Sequence, residues 1–173
     1  MWIYNRAAAA TYAEAFAIVH NGAWPTYQFD CTNFVSQALY AGGWEMTGAD
    51  ADDDESWFGP DLAGGHFGLS RSWAKADGLK KFLRASGRAH ECKATELFLG
   101  DVVQIIDHSG EADHSMMVSL IAGGEPCLSY HTTDRFNVPL SRAVQLAALH
   151  NVGGTLVYWK LHDFLEPKTP SPW

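Results

Sequence analysis

Three side chains in this sequence have the types and settings that acyl-transfer chemistry requires: Cys31, His114 and His131. Cys31 follows Asp30, a residue type favoured at helix N-caps, and shares one helical face with Phe34, Val35, Ala38 and Leu39. A thiol in the first turn of a helix feels the partial positive charge of the helix N-terminus, so its thiolate is favoured. His114 opens the run SMMVSLI, in step with Met116 and Val118, and is expected to face inward, where an imidazole needs a partner. His131 closes the run CLSYH. Side chains on adjacent antiparallel strands come within ~5 Å of each other, so His131 is expected to accept the ring N–H of His114 and fix its tautomer. Each residue alone has an ordinary explanation, since free cysteines and single histidines are mostly packing or surface residues. Together they form a nucleophile, a base and an orienter drawn from distant points of the chain.

The elements that must hold these residues are read from periodicity. Ala7 to Ala10 favour helix, and Tyr12, Ala15, Phe16 and Val19 recur at helical spacing, so the first twenty residues are expected to be helical up to Asn21-Gly22. The helix opened by Cys31 is expected to stop at Gly42-Gly43, and a third to span about Ser72 to Ala85, with Gly87 as its stop. Residues 44–72 lack a sustained period and read as a long surface loop. The acidic run Asp50, Asp52, Asp53, Asp54 and Glu55 lacks the spacing of an EF-hand loop and is expected to be solvated. From Gly100 onwards the period becomes that of strands, at 102–106, 115–121, 127–131 and 155–161, and the short links between the first three predict an antiparallel meander. Helices first and strands afterwards is the order of an α+β domain with N-terminal helices packed on an antiparallel β-sheet. That domain is expected over residues 1–165, followed by a Pro-rich tail at 166–173.

Composition narrows the partners. A chain of 173 residues with 47% hydrophobic side chains has the size of one domain, and the net charge of −8 opposes binding to nucleic acid and other polyanions. No segment approaches the ~20 apolar residues of a membrane span, so no membrane insertion is expected. The opening MWIYNRAAAATYAEAF has no apolar stretch of signal-peptide type, which fits a domain cut from a longer, exported bacterial protein. Cys31, Cys92 and Cys127 are an odd set without CxxC spacing, so at least one thiol stays free in the monomer.

The blocks YNRAAAATYAEAF, DCTNFVSQALYAGG, GDVVQ, DHSMMVSLI and LSYHTTDRFNVPLS, in that order, resemble the putative amidase domain family, related to the NlpC/P60 and CHAP hydrolases of bacterial cell walls. The resemblance runs from about Tyr4 to Leu140 and implies a papain-like, NlpC/P60-like fold. It implies Cys31 as nucleophile, His114 as base, and a thiol peptidase or amidase that needs no cofactor or metal. His131 is the first choice for the third polar residue and Asp134 the fallback. The oxyanion is expected to meet the Cys31 backbone N–H and a donor from the preceding loop, with Tyr27, Gln28 and Asp30 as the residues of that subsite. Asn33, Ser36 and Gln37, in the same block, are read as structural, and Trp44, Trp57 and Trp73 as core or loop anchors.

The leading reading is therefore hydrolysis of an amide bond in a peptide or peptidoglycan-type substrate, with deamidation or transamidation as variants of the same chemistry. One rival is a zinc hydrolase with Cys31, His114 and His131 or Asp113 as ligands, although no paired ligand spacing supports it. Another is a non-catalytic binding module of the same fold, which would have no need of a nucleophile and base.

Overall fold

A computed structural model describes residues 2–60, 68–150 and 154–165, so the expected Pro-rich tail lies outside the described residues. Helix α1 (Arg6–Phe16) begins where the Asn5 side chain accepts the Ala8 N–H at 3.0 Å, and its small buried face of Ala9, Ala10 and Ala13 lets it lie close to its neighbours. It ends sooner than its periodicity suggests. The Phe16 carbonyl, which a longer helix would use internally, instead accepts Nε2–H of His131 at 2.7 Å. Helix α2 (Cys31–Ala41) is buried from Cys31 through Leu39. Gly42 and Gly43 stop it as expected, with Gly43 at φ +92°, a conformation that glycine adopts without strain.

The helix expected over Ser72 to Ala85 is two helices, α3 (Arg71–Ala74) and α4 (Ala76–Ala85), broken at Lys75, whose backbone is extended. Ser70 caps α3 by accepting the Trp73 N–H, and the corner closes tightly because Gly78 lies against Arg71: a Cβ on Gly78 would sit 2.4 Å from the Arg71 carbonyl oxygen. Gly87, at φ +69°, follows the end of α4.

The six-stranded sheet has the order β2 (Ala89–Cys92), β7 (Thr155–Leu161), β3 (Val102–Ile106), β4 (Ala112–Ala122), β5 (Glu125–Tyr130) and β6 (Arg135–Pro139), every neighbouring pair antiparallel. The expected meander is β3-β4-β5, and β7 inserts between β2 and β3. A fifth helix, α5 (Leu140–His150), follows β6, while β1 (Trp2–Ile3) pairs with β8 (Phe164–Leu165). The larger core joins α1, α2 and α4 to the sheet through Phe34, Leu39, Leu79, Phe82, Met117 and Trp159. A second core, with Val103, Met116, Val118, Leu128 and Leu140, lies beneath α5. The architecture is α+β, with five helices among the described residues.

The loop before α3 is less loose than its composition suggests. Residues 50–55 are exposed as expected, and the Asp50 and Asp53 carboxylates accept N–H groups of their own turns. Ser56, Trp57 and Phe58 are buried, and Thr47 and Trp57 form a β-bridge. Trp44, Trp57 and Trp73 pack as one buried group, edge-on and tilted, the anchoring role read from the sequence. Two members of the Cys31 block fix them to α2. Asn33 accepts Nε1–H of Trp73 at 2.8 Å, and Ser36 accepts Nε1–H of Trp57 at 3.2 Å while donating to the Trp73 carbonyl. Among the described residues, no helix is long and apolar enough to cross a membrane.

Candidate active site

Cys31 occupies the first position of α2, and the side chain of Asp30, at the N-cap, makes no cap hydrogen bond to the helix. This corrects the capping role expected of Asp30. Its Oδ1 instead accepts the Tyr27 N–H and Nδ2–H of Asn33, and its Oδ2 lies 2.7 Å from Nδ1 of His131. The opening amides of α2 therefore keep their partial positive charge beside the thiol.

His114 lies at the start of β4, opposite Ile105, next to a bulge that leaves Asp113 as the extra residue. There it lines the same cleft as Cys31. Burial pushes the Cys31 thiol up, but hydrogen bonding and charge from His114, the Ser115 N–H and the Thr32 hydroxyl outweigh it and bring the thiol down from 9 to about 7. Cys92 is pushed up to about 11, chiefly by burial, with Asp101 and Glu96 adding to it, and Cys127 is also raised by burial. Only one of the three thiols is therefore poised for chemistry near neutrality.

His131 does not stand where the sequence reading put it. The expectation that it accepts the His114 ring N–H is corrected: both His131 nitrogens are engaged elsewhere, Nδ1 with Asp30 and Nε2 with the Phe16 carbonyl, and the ring is buried. The register explains this. His131 follows the last residue of β5, and β5 meets β4 at Met117, three residues beyond His114. An imidazole donating to a carbonyl on one side and facing a carboxylate on the other is held as the cation. Burial opposes that charge, yet the Asp30 and Phe16 contacts raise the His131 pKa, and the same pairing, helped by Asn33 and the Tyr27 N–H, lowers that of Asp30 despite its burial. His20 completes a cluster in which one donor atom each from His20, Asp30 and His131 lie within 4.8 Å of one another. Asp134 is exposed in the turn after β5. What meets the His114 ring from the side is Tyr130, edge-on at 5.0 Å.

Cys31 and His114 open into a cleft of about 790 Å³ that runs from the α3-α4 corner, at Lys75 to Gly78, past Tyr130 to Ala143 and Leu146 of α5. Phe29, 71% exposed and two residues before Cys31, stands at its rim. Tyr27 and Gln28 lie exposed on the same loop but do not line the cleft. Arg71, Lys75 and Arg135 line the cleft together with Asp77, Glu111 and Asp113, so its walls carry both signs of charge. The sequence reading passed over Phe29 and two hydroxyls under the thiol, Thr32 and Ser115. Both hydroxyls are adjacent in sequence to the reactive pair, in DCT and DHS, which was the available signal.

Comparison with known proteins yields relatives and a family. The chain is 33% identical over 137 residues to the uncharacterized protein YhbB of Bacillus subtilis (strain 168), covering 76% of this chain and 42% of that protein. It is 32% identical over 145 residues to the uncharacterized protein YjcM of the same organism, covering 79% of this chain and 32% of that protein. The chain thus spans less than half the length of either relative, and no solved structure matches it. The family profile described as "Putative amidase domain" matches residues 3–152, across both strands and helices that carry the cleft, and the chain belongs to that family.

Proposed function

We infer that this chain is a thiol-dependent hydrolase of amide bonds, with residues 1–165 acting as one domain of papain-like type. The observation that carries the reading is that Cys31, at a helix N-terminus, shares one cleft with His114, whose nearness lowers the thiol's pKa. The Cys31 thiolate attacks the substrate carbonyl carbon, and the resulting oxyanion is received by the Cys31 backbone N–H. Tyr27 and Gln28, the side chains expected to assist, do not line the cleft, so neither is assigned as the second donor. Protonated His114 gives its proton to the departing amine as the C–N bond breaks and a thioester remains. His114 then takes a proton from water, which attacks the thioester, frees the acid and restores the Cys31 thiolate beside protonated His114. His131 and Asp30 act behind the nucleophile by holding the loop that delivers Cys31.

Stem peptides of peptidoglycan are the first substrates to test, by analogy with cell-wall hydrolases of related chemistry. The experiment compares wild type with Cys31→Ala and His114→Ala on peptidoglycan fragments and model peptides, with chelator present and absent. Turnover is expected to fall by about 10³-fold or more in either variant and to be indifferent to chelator. Full turnover by Cys31→Ala, or its loss on chelation, would overturn the thiol mechanism.

A further inference from the structure

Beneath the thiol lies a buried polar chain that crosses the sheet. Trp159 of β7 donates Nε1–H to Oε1 of Gln104 on β3 at 2.9 Å. Indole N–H is only a donor, so this contact fixes which end of the Gln104 amide is oxygen. Nε2 of Gln104 then donates twice, to the Ala76 carbonyl at 2.8 Å and to Oγ of Ser115 at 3.0 Å. Ser115 Oγ also lies 3.0 Å from Oγ1 of Thr32, and Thr32 Oγ1 lies 3.7 Å from Sγ of Cys31. Thr32, Gln104 and Ser115 are fully buried, and Trp159 is 1% exposed.

The direction of every hydrogen in this chain follows. Among the described residues, Ser115 Oγ has only two partners, Gln104 and Thr32. Gln104 can only donate to it. Were Thr32 to donate as well, the Ser115 hydroxyl proton would be buried without an acceptor, at a cost of about 1–3 kcal/mol. Ser115 therefore donates to Thr32, and the Thr32 proton is left for Cys31.

We propose that Thr32 is a hydrogen-bond donor to the Cys31 thiolate, held in that orientation by Trp159, Gln104 and Ser115 as positioning residues. The proposal rests on the thiol mechanism inferred above and adds a second stabilising contact to that of His114, from a fully buried hydroxyl. A donor fixed in place favours the thiolate over the thiol before any substrate arrives.

The test reads the thiol directly and needs no substrate. The rate of Cys31 alkylation by iodoacetamide is followed against pH in wild type, His114→Ala, Thr32→Val, Thr32→Ser and Ser115→Ala, each checked for a cooperative melt. Thr32→Val is expected to raise the midpoint by about one pH unit and to slow labelling at pH 7 about fivefold. Thr32→Ser is expected to restore the wild-type midpoint. Ser115→Ala, which frees the Thr32 hydroxyl to rotate, is expected to fall between them and serves as the test should Thr32→Val not fold. A midpoint unmoved in the folded hydroxyl-deletion variants, or one as high in Thr32→Ser as in Thr32→Val, would overturn the proposal. Failure of the underlying mechanism looks different: the wild-type midpoint would lie near that of a free thiol, about 8.5, and His114→Ala would leave it there.

Discussion

Cys31 is a buried thiol with a pKa near neutrality because burial, which favours the uncharged form, is outweighed by donors on one helix and one strand. The sign of its pH dependence follows: thiolate accumulates as pH rises through about 7, whereas Cys92 stays protonated until about 11 and Cys127 is raised as well. At pH 7.5 a limiting amount of iodoacetamide is expected to modify Cys31 alone, as peptide mapping by mass spectrometry would register. Equal labelling of Cys92 would contradict the assignment. The stability supplied by the His131–Asp30 pair is bounded by pH on both sides. His131 is raised, so its stabilising contribution is complete below about pH 6.5 and is lost as pH rises through the folded-state value; Asp30 is lowered, so its contribution is complete above about pH 4 and is lost in acid. The pair therefore supports the fold most strongly between about pH 4 and 6.5. His131→Ala leaves Asp30 buried without its cation and is expected to cost about 3–5 kcal/mol in urea unfolding at pH 6. His131→Asn is expected to recover part of that, and both variants should flatten the decline of stability above pH 6.5.

At the scale of elements, the α3-α4 corner sets one wall of the cleft, and Gly78 is what lets it close. Gly78→Ala must move the Arg71 carbonyl or the first turn of α4, and overpacking of this kind costs about 1–3 kcal/mol. Because Lys75 to Gly78 line the cleft, the same substitution is expected to raise KM more than it lowers kcat; a lower melting temperature with unchanged KM would place the corner outside the substrate's path. The corner also shows how legible the elements were. The helical period through Ser72 to Ala85 does not register one extended residue at Lys75, since the break comes from a close approach across the turn that no local pattern encodes. Strands 102–106 and 155–161 were read to the residue, because Val, Ile and aromatic runs carry their own period. The strand β6 was missed: RFNVP contains Asn137 at φ +48° and a proline, and its pairing with β5 is irregular. Helix α5 was missed although Leu140, Ala143 and Val144 follow Pro139 at helical spacing. Cys31 and His114 were legible because helix start and strand start are local features. The partner of His131 was not, because it depended on how β5 is offset from β4.

Over the whole molecule, Arg6 fastens distant parts of the chain. Its guanidinium donates to Asp101 Oδ1 at 2.6 Å and to the Leu99 carbonyl at 2.9 Å, and also to Asp163 and the Leu161 carbonyl, joining the start of α1 to the start of β3 and the end of β7. Asp101 is fully buried and also accepts the Phe98 and Leu161 N–H groups and Lys160. Arg6→Met is expected to lower stability by about 3–5 kcal/mol in guanidinium unfolding while leaving the Cys31 alkylation midpoint in place, since none of these contacts reaches the cleft. The β1–β8 pairing, Trp2 with Leu165 and Ile3 with Phe164, extends the same knitting. Two segments 162 positions apart in sequence are thus neighbours in space, and the polypeptide path is close to a loop. A polymer of that topology can be sealed by a short linker across β1 and β8 and reopened elsewhere without crossing its own path. The exposed Gly123-Gly124 turn between β4 and β5, where both residues adopt positive φ, is the natural place to cut, because the pairings on either side of it would still bring Cys31 and His114 together from opposite halves of the rearranged chain.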